Sequence, residues 1–263
     1  MSPGFRISAP VALFLVIIIM MGCNQPPSTP PPPTPQPIFV AYPPSLKPLT
    51  IPLHNCAVEH PELALFVAET PSPSLSVGDA HIVLWLGHTL ESGDFITPLA
   101  WERLYVILHP GNPLSRLSAM QLTGLFSGQI SNWSELGGDD LVVEVWVYPP
   151  ENDVRALFVS AGMDGKPFSS QARLAPDPAA MLEIVSSHPA AIGFLPGAWL
   201  TSQVKSVRLP RSLEVALRQP VLALSSSEPQ GPAWALLLCL QSSQGQAVLA
   251  DLYEPWETAV PGQ

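Results

Sequence analysis

Arg155 is the side chain whose type and setting best suit an anion. A guanidinium offers a rigid fork that pairs two oxygens of a carboxylate or phosphate at once. It follows Asn152 and Asp153, either of which suits the N-cap of a helix. Its other role is an internal ion pair with Glu151 or Asp153, and the sequence leaves both roles open. Cys56 and His60 stand four apart on a predicted helix, with His54 nearby. No second ligand pair follows, so no metal site is expected. There is no G-x-S-x-G elbow, H-E-x-x-H pair or Walker loop, and Gly124-Leu-Phe-Ser-Gly128 has the wrong spacing for an elbow. Without a nucleophile–base spacing, no enzyme activity and no cofactor are expected.

The 263-residue chain has 47% hydrophobic and only 12% charged residues, enough for one large domain or two small lobes with a substantial core. Its formal net charge of −10 argues against a nucleic-acid partner, which needs a basic face. A small anion is not excluded, because local N–H groups rather than the bulk field would hold it.

The elements that must position these residues can be read from periodicity. Ile38–Tyr42, Leu63–Ala68 and Ala80–Leu86 read as strands. Ser45 is expected to cap a helix running to about His60, with Leu46, Leu49, Leu53 and Cys56 as its buried stripe. Leu122, Leu125 and Phe126 share a helical face, Gly128 suits a left-handed turn, and Ser131 or Asn132 with Glu135 suits a capping box. Trp133 is an anchor whose indole N–H wants a partner. Leu141–Val147 reads as a strand, Asp177–Ser187 as a helix with Pro178 in its first turn, and Ala191–Leu195 as a short buried strand. Gly231–Tyr253 reads as one long apolar helix. Cys56 and Cys239 are expected to pack as small apolar residues, with a disulfide as the alternative.

The stretch Gln121–Gly138, QLTGLFSGQISNWSELGG, resembles a signature of the PstS-like substrate-binding proteins. Tyr105–Pro113, the AIGF of Ala191–Phe194 and the SSQGQ of Ser242–Gln246 extend the resemblance over most of the chain after residue 37. It implies an α/β, two-lobe type 2 periplasmic-binding-protein-like fold with mixed sheets and a hinge. The implied division is 38–105 and 206–263 for lobe 1, and 106–205 for lobe 2. It also implies ligand contacts at Ser45, His88 and Arg155, with Asn152 at the helix start and Tyr42, Trp85 and Tyr148 as walls. Packing is the other role for Trp85.

The chain departs from the family at both ligand loops. Tyr42-Pro-Pro-Ser-Leu46 stands where the family has Gly-Ser-Thr-Ser-Leu, and Pro150-Glu-Asn-Asp153 where it has Gly-Ser-Gly-Thr. The family's default ligand is phosphate, but the lost donors make another small solute an equal expectation.

Residues 1–22 read as a signal peptide, because Met20-Met-Gly-Cys23 resembles a bacterial lipobox with Cys23 as the lipidated residue. The alternative is an uncleaved anchor. Residues 23–37 form a proline-rich spacer of semi-rigid extended chain. The expectation is a monomeric, lipid-anchored extracytoplasmic solute-binding protein that delivers a small-molecule ligand to an ABC permease. A scaffold or sensor lipoprotein on the same fold is the alternative.

Overall fold

The computed structural model describes Met1, residues 34–88 and residues 95–256. The expected signal peptide, Cys23 and most of the expected spacer therefore lie outside the described residues. In chain order the strands are β1 (Gln36–Tyr42), β2 (Leu63–Glu69), β3 (Ile82–Leu86), β4 (Phe95–Leu108), β5 (Glu144–Val147), β6 (Arg173–Leu174), β7 (Ala191–Pro196), β8 (Lys205–Ser206), β9 (Arg218–Ser225) and β10 (Glu254–Pro255). The helices are α1 (Thr50–Glu59), α2 (Ala119–Ser127), α3 (Asp153–Gly162), α4 (Pro178–Ser187), α5 (Arg211–Ala216), α6 (Gly231–Gln241) and α7 (Ser243–Ala250).

The strand order is β2-β1-β3-β9-β4-β7-β5-β6, with β8 and β10 also paired to β4. The sheet is mixed. β1 lies parallel to β2 and β3, β5 lies parallel to β6 and β7, and the pairs around β4 and β9 are antiparallel. The 14-residue strand β4 joins the two halves of the sheet. Its Phe95–Arg103 portion pairs with β9, and its Leu104–Leu108 portion pairs with β7. The register slips between Pro98 and Ala100, where a residue without an N–H interrupts the ladder. Buried side chains of both halves form one continuous core along this strand.

The helix expected from Ser45 to His60 is instead two pieces. Pro44–Leu49 is a 3₁₀ helix, and the α-helix begins only at Thr50. Pro48 has no N–H and its ring crowds the preceding turn, so an α ladder cannot run through it. Ser45 lies inside the 3₁₀ helix and caps nothing, but Leu46, Leu49, Leu53 and Cys56 are all buried as the stripe requires.

The single helix expected over Gly231–Tyr253 is also broken. Ser242 adopts an extended conformation and its hydroxyl accepts from the N–H of Gly245, starting α7 afresh. Gly245 is needed there because a Cβ would collide with the Cys239 carbonyl. Cys56 and Cys239 form a disulfide that ties α1 to α6, so the alternative holds rather than packing as free thiols. Both lie in the half built from the chain's two ends, and α1 and α6 bring them to a Cα–Cα distance of 5.8 Å, within bonding range.

The signature stretch folds as its residues dictate. Gly128 ends α2 at φ 78°, and Asn132 and Glu135 close a capping box around a second turn, Trp133–Leu136. The buried Trp133 indole N–H donates to the Ala190 carbonyl at 3.0 Å. That bond fastens the turn to the start of β7. In β7, a side chain at Gly193 would strike Met181, so glycine lets α4 lie directly against the strand.

Candidate functional site

Two loops, one from each half of the sheet, carry most of the expected ligand contacts. The first follows β1: Tyr42, Pro43, Pro44 and Ser45. The second follows β5: Tyr148 to Asp153, opening α3. Parallel strands place such loops at their carboxyl ends, where α/β sheets collect ligands.

The loops meet. The Ser45 hydroxyl donates to Oδ2 of Asp153 at 2.6 Å, across 108 positions of sequence. The Ser72 side chain, in the short 3₁₀ turn Ser72–Ser74, is a further hydrogen-bond partner of the same carboxyl group. Oδ1 of Asp153 accepts from the Val154 N–H at 2.9 Å. Burial pushes the Asp153 carboxyl above its ordinary value, and these donors pull it back. Ser45 is wholly buried, and its carbonyl accepts from the Trp199 indole at 2.8 Å. Alongside, a Cβ at Gly87 (φ 98°) would lie 2.9 Å from a Leu157 methyl, so the turn after β3 sits directly on α3.

The expected site residues divide into three groups. Ser45, Asn152 and the Asp153 between the loops come together at the junction. Asn152 is the N-cap of α3, its side chain accepting from the Arg155 N–H at 3.2 Å. Arg155 makes neither an ion pair with Glu151 or Asp153 nor an open fork. Its Nη1 donates to the Tyr148 carbonyl at 2.6 Å, and its guanidinium lies 4.9 Å from the Phe168 ring centroid. Tyr148 is fully buried, and its hydroxyl donates to the Phe194 carbonyl at 2.9 Å. Tyr42 is buried at the end of β1, Trp85 is half-buried against the Val83–Leu222–Leu224 cluster, and His88 is exposed. These last three stand apart from the Ser45–Asp153 junction as described contacts go.

Sequence reasoning missed three participants. Asp153 reads as a helix cap or an ion-pair partner of Arg155. Nothing local shows that it faces Ser45. Trp199 and Ser72 are ordinary loop residues in the sequence. Apart from the junction, Glu102 on β4 is a deeply buried carboxyl group on the strand that joins the halves. It accepts from the N–H groups of Gly197 at 2.7 Å, Ala198 at 3.3 Å and Arg103 at 2.8 Å. Burial outweighs those donors and lifts its carboxyl to about 8. The apparent sequence signal, one acidic residue in a long apolar strand, was there to be seen.

A cavity of about 380 Å³ lined by Ala41, Phe66, Thr70 and Ser74 borders the Ser72 turn. A groove of about 700 Å³ is lined by Phe39, His81 and Ser225–Ser227, and a smaller one of about 280 Å³ flanks the disulfide. Among the described residues there is no cluster of three metal-ligating side chains, and no helix long and apolar enough to cross a membrane.

No family model matches the chain. It is 28% identical over 135 residues to the phosphate-binding protein PstS of Bacillus subtilis, a match spanning 49% of this chain and 45% of that protein. The chain thus aligns with less than half the length of the curated relative it matches. Its fold superposes on a Clostridium perfringens protein assigned as a phosphate ABC transporter substrate-binding protein and solved with bound phosphate. That match has a TM-score of 0.76 and 17% identity, covering 84% of this chain and 100% of that one. An ABC-type phosphate transport receptor from Vibrio cholerae matches with a TM-score of 0.67 and 20% identity, over 82% of this chain and 99% of the other. The chain therefore shares the two-lobe α/β fold of these periplasmic-binding-type proteins and is similar to PstS over about half of its length.

Proposed function

We propose that this chain is an extracytoplasmic solute-binding protein of an ABC-type importer, taking phosphate or another small solute between its two lobes. The observation that carries the reading is the pair of loops after β1 and β5, which face each other from separate halves of a PstS-like fold. The relatives are binding proteins rather than enzymes, which agrees with the missing nucleophile–base pair. Lobe 1 comprises residues 38–105 and 206–263, and lobe 2 residues 106–205. The strand β4 passes between them and supplies the hinge. Residues 1–22 act as the signal peptide, Cys23 as the lipid anchor and the stretch from 23 as the tether, which gives way to β1 at Gln36 rather than after residue 37. The protein works as a monomer that docks on its permease.

Capture works by differential stabilisation. A solute touching both loops favours the closed arrangement by the free energy of the contacts that the open one lacks. Ser45 and Asn152 supply hydrogen bonds. Tyr42, Trp85, His88, Tyr148 and Arg155 line or buttress the cleft. Calorimetric titration of the full chain with phosphate and a panel of small solutes tests this. Saturable heat from one of them is the expected result, and no heat from any is the contrary one.

A further inference from the structure

We propose that Asp153 is a built-in stand-in for a ligand oxyanion, clasping the two loops together in the absence of solute. The proposal rests on the solute-binding reading above and deepens it. Three features carry it. First, the acceptor and the donors come from opposite halves: Asp153 opens α3, while Ser45 and Ser72 flank β1 and β2. Second, the Ser45 hydroxyl is fully buried and is spent on Oδ2 at 2.6 Å, so a solute oxygen must displace a carboxylate to use it. Third, Asp153 is not needed as the helix cap, because Asn152 fills that position. A carboxylate with one oxygen on the Val154 N–H and the other turned across the junction onto a buried hydroxyl has the geometry of a bound anion's oxygens.

Two consequences follow. The halves stay together without solute, and inorganic phosphate must compete with an acceptor already present at high effective concentration. The site therefore discriminates against small oxyanions as long as Asp153 holds the Ser45 hydroxyl.

The test is backbone hydrogen exchange of the full chain at neutral pH, for the wild type, Asp153→Ser and the double variant Ser45→Ala/Ser72→Ala. The double variant breaks the same clasp from its other side. Without solute, amides in 45–49, 72–75 and 153–158 should exchange at least about tenfold faster in both variants, while β7 and β9 amides hold their protection. Added inorganic phosphate should restore protection in Asp153→Ser at a concentration at least about tenfold below any that alters the wild type. Unchanged exchange in both variants overturns the clasp and leaves the solute-binding reading standing. Faster exchange that phosphate fails to reverse overturns the stand-in for an oxyanion, and the solute-binding reading then rests on another ligand. If Asp153→Ser loses protection in β7 and β9 as well, the double variant decides the clasp, and Asp153→Asn takes its place in the phosphate titration with the same two outcomes.

Discussion

The two halves of the sheet are held together by different means. The half containing β5 and β7 closes on aromatic side chains. Phe158 stacks on Phe194 at 4.0 Å, Phe126 lies 4.9 Å from Phe158, and Tyr148 meets Phe194 edge-on at 5.2 Å. All four rings are fully buried. The half containing β1, β2 and β3 is packed with aliphatic side chains and leaves Phe39 and Phe66 stacked but exposed. It is also assembled from two distant pieces of chain, α1 near one end and α6 near the other. There a disulfide across 183 residues does what a contiguous aromatic core does elsewhere. Continuous segments can rely on packing, whereas a split half must offset a large loop-closure entropy.

That contrast can be broken first at the disulfide. In the chain-entropy picture, removing a cross-link over so long a loop costs about 5 kcal/mol. Cys56→Ala/Cys239→Ala should therefore lower the denaturant midpoint strongly, with protection lost first in α1, α6 and β1. Uniform loss over both halves would contradict the division. The counterpart is Phe158→Ala, expected to cost about 3–5 kcal/mol through a cavity in the aromatic core. Its exchange defect should centre on α3 and β7 and spare α1.

The strand that joins the halves gives the third test. Glu102 holds its proton to about pH 8 in the folded chain, against 4.5 for the free side chain. The folded state then binds more protons than the unfolded one between those values, so stability is greatest at the acid end of the window and falls as pH rises through it. Glu102→Gln should flatten that fall in urea melts at stepped pH. An equally steep fall in the variant would move the effect elsewhere. The smallest expected change is Ser45→Ala. Losing one hydrogen bond to a half-buried carboxyl group costs about 1–2 kcal/mol. Asp153→Ser should cost at least as much, because it also gives up the Ser72 and Val154 contacts, and adding Ser45→Ala to it should cost little more.

The elements that rest on neighbours in sequence were legible in advance. The α2–Gly128–Asn132–Glu135 segment is such a case, since its helical face, left-handed stop and capping box are all written within a dozen residues. The Leu46–Cys56 stripe and the Pro178 helix start are others. The errors came where a single residue overrode a periodic pattern: Pro48 delayed α1, and Ser242 split the last helix. The site was less legible because its decisive contacts are long-range. Ser45 meets Asp153, and Trp199 meets Ser45, through pairings that only the assembled sheet creates. Arg155 shows the same limit, since its guanidinium turned to the Tyr148 carbonyl and Phe168 rather than to either acidic neighbour.

The most direct test of solute capture between two lobes is a hydrogen-exchange footprint of the full chain across a solute panel that includes phosphate. The account predicts that one solute protects residues 42–49 and 148–155 together, from opposite halves, over a single saturable concentration range. Protection confined to one half, or none with any solute, would contradict it.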